Sequence, residues 1–409
     1  MITNLIIHKF KDIVLRILRI KNFYLHSHNV VYNNMKSEYF LERDDIKYTF
    51  KDTDVKAIAM YLPQFHPIPE NDSIWERNFT EWTNVTKAKP NFVGQSQPRL
   101  PYECGFYDLR IVDNIRWQAE LSKQYGIYGW CIMYYFFDGT PVMDTPLNLI
   151  LDNPDIDIQF CLEWANESWT RRWTGREDDI TLLQDNSHMD TLIRNILEIA
   201  KDPRYIKINN VPVLMIYRKD ILPNMNDLIS LWRKIAKEEF NTDIYLVLCE
   251  TFDIREDPLP CNAALQYPPH PLCSGWFDEI RTHKQVTNPN FTGGLFSYED
   301  IVNKKLYIDN PTYTQYKMLI LDWDNTARKG NEGVVFHGCT PSLYTSWLSD
   351  NIRYSHDHNL PFTFINAWNE WAEGTYLEPD RVNGYRYLFE TRETLTQVNN
   401  EYSNSNSSI

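Results

Sequence analysis

Two carboxylates stand three positions apart in the stretch Phe364-Ile-Asn-Ala-Trp-Asn-Glu370-Trp-Ala-Glu373-Gly-Thr-Tyr376. The stretch opens as an apolar strand over 361–367 and then breaks into polar and aromatic residues. A helical turn there would put Glu370 and Glu373 on one face, about 5–6 Å apart at Cβ. Two carboxyls about 5–5.5 Å apart across a glycosidic bond are the equipment of a retaining glycosidase. Trp368, Trp371 and Tyr376 offer flat apolar surfaces on which a sugar ring can stack. Gly374 lets the backbone turn where a side chain would clash. The same spacing also occurs on exposed helices whose tryptophans pack in a core, so the setting decides.

The setting is a β/α alternation beginning at residue 55. Apolar runs predict strands over 55–62, 129–136, 158–164, 211–217, 243–249, 263–267, 318–323 and 361–367. Helical spacing lies between most of them, over 109–125, 146–151, 189–200, 228–240 and 343–358, with a closing helix over 385–396. Residues 268–318 read as irregular. Eight such strands predict a (β/α)8 barrel with long βα loops, an α/β fold. A doubly wound sheet fits less well, because neither a GxGxxG nor a Walker loop follows the early strands.

In such a barrel the chemistry sits at the C-terminal strand ends, and every predicted strand ends in polar or aromatic residues. Gln64 and His66 follow the first; Tyr134, Tyr135 and Asp138 the second; Glu163, Asn166, Glu167, Trp169 and Trp173 the third. Tyr217 and Arg218 follow the fourth, Glu250 the fifth, and Gln266 and Tyr267 the sixth. Asp322, Asp324, Asn325 and Arg328 follow the seventh, and Asn366, Glu370 and Glu373 the eighth. Convergence on one pocket accounts for the pattern. His66 beside Pro67 also reads as a structural loop histidine. Glu163 directly follows an apolar run, where an unpaired carboxylate is costly. Arg328 is spaced to pair with Asp324 four residues earlier, a modest surface effect.

Charge and cysteine usage narrow the classes. Forty-one basic against 55 acidic residues give a net charge of −14, which argues against nucleic acid as a partner. Seven cysteines at wide spacing and without CxxC read as thiols in a reducing compartment. HExxH is absent and the histidines are few and scattered, so neither a metal nor another cofactor is expected. No GxSxG elbow suggests a serine hydrolase. No apolar run reaches the length of a membrane-spanning helix, and the start lacks signal-peptide order. The expected location is the cytoplasm.

Three regions follow. Residues 1–50 form a basic amphipathic extension: Ile6, Phe10, Ile13, Val14 and Ile17 recur at helical spacing among Lys9, Lys11, Arg16, Arg19 and Lys21. Such a helix lies on an anionic membrane, through residues 1–25 on its inner face, packs on the domain, or is a frayed leader. Residues 51–396 form the catalytic barrel. Residues 397–409, nearly all Asn and Ser from 399, read as a disordered tail.

Four blocks in order resemble the WbsX-type glycosyltransferase family: Tyr61-Leu-Pro-Gln-Phe-His66-Pro with Thr80-Glu-Trp82, Leu162-Glu163-Trp-Ala-Asn166-Glu167-Ser-Trp169, Asp322-Trp-Asp324-Asn-Thr-Ala-Arg328, and Asn366-Ala-Trp-Asn-Glu370-Trp-Ala-Glu373-Gly-Thr. That family is similar to the endo-α-mannosidases of glycoside hydrolase family ninety-nine. The resemblance implies a (β/α)8 barrel and work in O-antigen or other surface-polysaccharide biosynthesis, on a glycan or lipid-linked oligosaccharide. It also implies roles. Glu370 would take the proton of the sugar's own 2-hydroxyl, giving a 1,2-anhydro intermediate. Glu373 would protonate the leaving group and later activate the acceptor. The mannosidase block usually has His where this chain has Ala372. Gln64, His66, Trp82, Tyr134, Glu163, Asn166, Glu167, Trp169, Tyr217, Asp324, Arg328, Asn366, Trp368 and Trp371 are the expected sugar-binding residues. Two further readings are an endo-glycosidase hydrolysing glycans and a non-catalytic sugar-binding barrel. Asp322-Trp-Asp324 also has DxD spacing, which serves either as a sugar-hydroxyl clamp or in metal–nucleotide binding.

Overall fold

The computed structural model describes residues 36–406, apart from 172–175, 186, 223, 253–254, 273–279 and 281–282. Its centre is a parallel barrel. We number the barrel strands β1 (Lys56–Tyr61), β2 (Ile127–Phe137), β3 (Gln159–Trp164), β4 (Val211–Ile216), β5 (Tyr245–Glu250), β6 (Ala263–Gln266), β7 (Gln315–Tyr316 and Met318–Ile320) and β8 (Phe362–Asn366). β1, β3, β4 and β5 are buried at every position after the first. That is the signature of parallel strands covered on both faces, and the reason their sequences read as unbroken apolar runs.

Strand order closes the barrel. Neighbours from β1 to β6 pair in sequence order, and β1 also pairs with β8. The two pieces of β7, parted at Lys317, complete the ring: Gln315–Tyr316 pairs with β6 and Met318–Ile320 with β8. The Lys317 side chain is buried against Asp309 and over the Tyr354 ring, where Gln315 also bonds the ammonium. β7 thus begins at Gln315, inside the stretch expected to be irregular. The expected fold class is the one observed.

Helices cover the outside: α1 (Val112–Gln124), α2 (Thr145–Asp152), α3 (Met189–Ile199), α4 (Met225–Phe240), α5 (Tyr298–Asn303), α6 (Pro341–Asp357) and α7 (Arg386–Asn406). α6 starts where Thr340 accepts the Leu343 amide and Pro341 takes the first turn. No helix lies between β5 and β6 among the described residues.

The tail departs from expectation. α7 continues to Asn406, so the Asn/Ser-rich end is helical through most of its length. Composition misled because single residues reach the barrel. Val398 is buried, Asn399 bonds both backbone groups of Val55, and the Tyr402 hydroxyl donates to Asp357. Residues 36–54 run alongside α7. Leu41 bridges to Gly384, and Arg392 grips Asp44 at 2.7 Å through two nitrogens. The part of the expected extension after residue 35 therefore belongs to the barrel's packing. The amphipathic segment itself lies outside the described residues. Six described cysteines are free thiols, and Cys131, Cys161 and Cys249 are buried in strands. No helix among the described residues is long and apolar enough to cross a membrane.

Candidate active site at the C-terminal mouth of the barrel

The paired carboxylates sit on a small hairpin beyond β8. Asn369–Glu370 pairs antiparallel with Thr375–Tyr376, and a 3₁₀ turn, Trp371–Glu373, joins them. Residues three apart eclipse in a 3₁₀ turn, so Glu370 and Glu373 face the same way without an α-helix. The turn closes at Gly374 with φ +70°, where a Cβ would lie 2.9 Å from the Asp324 amide nitrogen. Only glycine fits there.

Arg328 holds the two carboxylates. It stands on a short helix, Thr326–Lys329, directly after β7. Its Nη2 lies 2.8 Å from Glu370 and its Nη1 2.6 Å from Glu373. Its Nε reaches Glu81, 3.2 Å away. Glu81 opens a helix, Glu81–Lys87, in the loop after β1 and is fully buried. Loops after β1, β7 and β8 thus meet at one guanidinium. The expected pairing of Arg328 with Asp324 does not form, because Asp324 is engaged elsewhere.

One cation cannot balance three carboxylates, so the cluster favours a bound proton. Burial pushes both Glu370 and Glu373 above the usual carboxylate range, against the pull of Arg328. The charge of Glu81 adds to burial on both, and that of Glu373 adds to it on Glu370. Glu373 is the more open of the two, its side chain 22% exposed.

Beside the pair opens a cavity of about 470 Å³. On its floor is Glu163, at the end of β3, accepting from Cys249 Sγ and the Tyr267 hydroxyl at 3.3 Å each. Burial lifts its carboxyl to about 7. The walls are aromatic: Trp75, Tyr135, Trp169, Tyr217, Tyr267 and Trp323 all line it.

A family model described as Glycosyltransferase WbsX matches residues 57–391. The chain belongs to this family. Protein WxcX from two strains of Xanthomonas campestris pv. campestris is 36% identical over 349 residues, covering 83% of this chain. The match takes in 50% of WxcX, so the chain spans about half the length of these relatives. In structure it resembles the GH99 endo-α-mannosidase of Bacteroides thetaiotaomicron, with TM-score 0.51 and 14% identity, over 87% of this chain and 100% of that one. A glycoside hydrolase-like protein gives TM-score 0.53 at 14% identity, over 88% and 98%. Both likenesses concern the fold.

In this WbsX family member, nine of the sixteen expected site residues line the cavity: Gln64, Glu163, Glu167, Trp169, Tyr217, Arg328, Asn366, Glu370 and Glu373. Glu167 is held by Arg218 at 2.6 Å, and the Tyr217 hydroxyl meets His270 Nε2 at 3.0 Å.

Seven do not line it. Tyr134 points away because strand residues alternate; Met133 and Tyr135 face the cavity instead. Asn166 is spent on the backbone, exchanging 2.7 Å bonds with both peptide groups of Arg218. Asp324 accepts from Gln95 at 2.8 Å and from the Thr326 amide at 3.0 Å, so it is no sugar clamp. His66 is buried with Nδ1 on the Pro67 carbonyl, the structural alternative. The tryptophans Trp82, Trp368 and Trp371 are core. Trp82 bonds the Tyr107 carbonyl and packs on Trp371, Trp368 lies against Trp130, and Trp371 stacks on Tyr376 at 3.8 Å. The aromatic platform expected of Trp368, Trp371 and Tyr376 comes from other residues.

Reading the sequence also passed over participants. Glu81 lay inside the quoted block Thr80-Glu-Trp82, and Trp323 inside the block ending at Arg328. Trp75 and His270 had no signal, since loop packing alone brings them to the cavity.

Proposed function

We propose that this protein makes or rearranges glycosidic bonds in surface-polysaccharide biosynthesis, with Glu370 and Glu373 as its catalytic pair. The observation that carries the reading is the joint grip of Arg328 on both carboxylates at the edge of an aromatic-walled cavity. Protons balance as follows. Glu370 takes the proton of the 2-hydroxyl while O2 bonds to C1. The C1–O bond to the leaving group breaks, and that oxygen takes a proton from Glu373. An acceptor hydroxyl then adds to C1 as the C1–O2 bond breaks, and it gives its proton to Glu373 while O2 recovers its own from Glu370. Each proton transfer contributes roughly 10²–10⁴-fold. Water in place of the acceptor gives hydrolysis from the same geometry.

The cluster favours a proton that either carboxyl can carry, and these roles need it on Glu373. A bound sugar directs it there: a 2-hydroxyl donating to Glu370 favours its ionised form. The pair then passes one proton between members held on one guanidinium.

A lipid-linked glycan substrate and peripheral membrane contact through residues 1–25 belong to this proposal. Deleting residues 1–35 should move the protein from the membrane to the soluble fraction; unchanged fractionation would remove that part. The biosynthetic role is tested by deleting the gene and analysing surface glycans by mass spectrometry. A changed glycan, restored by wild type and not by Glu370→Gln, is expected. An unaltered glycan would refute the role.

A further inference from the structure

We propose, on the basis of the catalytic pair proposed above, that Glu81 is a positioning residue whose charge sets the pH range in which that pair works.

A guanidinium that grips two carboxylates works against a general acid. It favours the ionised form of both, whereas a leaving sugar oxygen needs a carboxyl that keeps its proton near neutral pH. Two things oppose Arg328. One is burial, and the other is a third carboxylate.

Glu81 does not line the cavity, and its side chain is fully buried, so it acts only through its neighbours. Its helix, Glu81–Lys87, packs against both the helix of Arg328 and the 3₁₀ turn of the pair. One of its oxygens faces Arg328 Nε at 3.2 Å, and the other has the Asn84 amide nitrogen 3.5 Å away. Arg328 therefore divides its charge among three carboxylates, with Nη1 on Glu373 at 2.6 Å and Nη2 on Glu370 at 2.8 Å. Burial raises both members of the pair, Arg328 pulls both back, and the charge of Glu81 raises both again. Lys329, next to Arg328, pulls on Glu373 alone of the two. Lys87, at the far end of the Glu81 helix, is exposed. The phenols near the pair, Tyr135 and Tyr217, are pushed up by burial and stay neutral.

Anchoring Arg328 and setting the proton are separable roles. In Glu81→Gln a carboxamide oxygen still meets Nε, and the side chain keeps its shape. Only the charge goes. An anchor would survive that change, whereas a pair that had lost a nearby like charge would release its proton at lower pH. Wild type and variant share every other charged group, so the comparison reads Glu81 alone.

The test uses the full chain and a glycan that wild type turns over. The pH dependence of kcat/KM is recorded for wild type, Glu81→Gln and Glu81→Asp, with circular dichroism as the check on folding. Glu81→Gln should move both limbs of the profile down by about 1 pH unit, a loss of about tenfold on the alkaline side. Glu81→Asp keeps the charge and should leave the limbs at their wild-type positions. Should Glu81→Gln not fold, Glu81→Ala removes the same charge and is held to the same shift. Limbs that stay in place without the charge would leave Glu81 an anchor only, overturning the inference and keeping the pair. A shift as large in Glu81→Asp would trace the effect to geometry and overturn it too. Turnover that persists in both Glu370→Gln and Glu373→Gln would remove the pair and this inference together.

Discussion

The indole nitrogen of Trp371 donates to a carboxyl oxygen of Glu378 at 2.6 Å. Trp371 is the residue after Glu370, so this bond fastens the turn that carries Glu370 and Glu373 from behind. Glu378 also accepts from Gln118 at 2.7 Å and the Tyr107 hydroxyl at 2.9 Å. Glu378→Ala would leave three buried donors without a partner. It should cost about 3 kcal/mol of stability, because each orphaned buried group costs about 1–3 kcal/mol before relaxation. Urea unfolding measures this. A loss below about 1 kcal/mol would show that the turn does not depend on Glu378.

The same residue gives a pH dependence with a definite sign. Burial raises the Glu378 carboxyl from 4.5 to about 7. The folded state therefore holds more protons than the unfolded state between those values. This contribution to stability is full at low pH and is lost as pH rises through 7. Relative to wild type, Glu378→Gln should gain up to about 3 kcal/mol between pH 4.5 and 8. Denaturant midpoints across that range check it, and a difference that does not change with pH would contradict a neutral buried Glu378.

Arg328 should resist conservative replacement. An ammonium cannot span Glu81, Glu370 and Glu373 as the planar guanidinium does. Arg328→Lys should keep the fold, lower kcat/KM by about 10²-fold, and move the pH optimum upward as the carboxyls lose their shared cation. Circular dichroism and pH–rate profiles decide this. An unshifted optimum would mean that Arg328 does not set the protonation of the pair.

The tryptophans divide into two classes with different signatures. Trp169 lines the cavity, and Trp169→Ala should raise KM about tenfold by removing about 1–1.5 kcal/mol of stacking. Trp368 is wholly buried, and Trp368→Ala should cost about 3–5 kcal/mol of stability. Steady-state kinetics beside thermal unfolding separates them; the reverse pattern would invert the assignment of platform and core.

Much of this was legible in the sequence, for reasons that also explain the misses. The barrel announced itself because strands buried on both faces must be continuously apolar, as in Phe160 to Leu162 before Glu163. The carboxylates were legible because Glu163, Glu370 and Glu373 each break such a setting at a strand end. Spacing could not show which residue of a strand faces inward, so Tyr134 stood where Tyr135 belongs. Nor could it show that Asp324 and Asn166 are spent on neighbouring backbone and side chains. Glu81 was the deepest miss: nearly 250 residues from Arg328 in sequence, with a separation of 247, it is joined to it only by the closing of the barrel.

The pair itself is tested most directly by leaving-group dependence. Wild type, Glu373→Gln and Glu370→Gln would be assayed on a glycan turned over by wild type and on an aryl glycoside of the same sugar. The phenol of the aryl glycoside leaves without protonation. Glu373→Gln should lose at least about 10²-fold on the glycan and recover most of that loss on the aryl glycoside, as a missing general acid does. Glu370→Gln should lose activity equally on both. Full activity on the glycan in both variants would contradict the account.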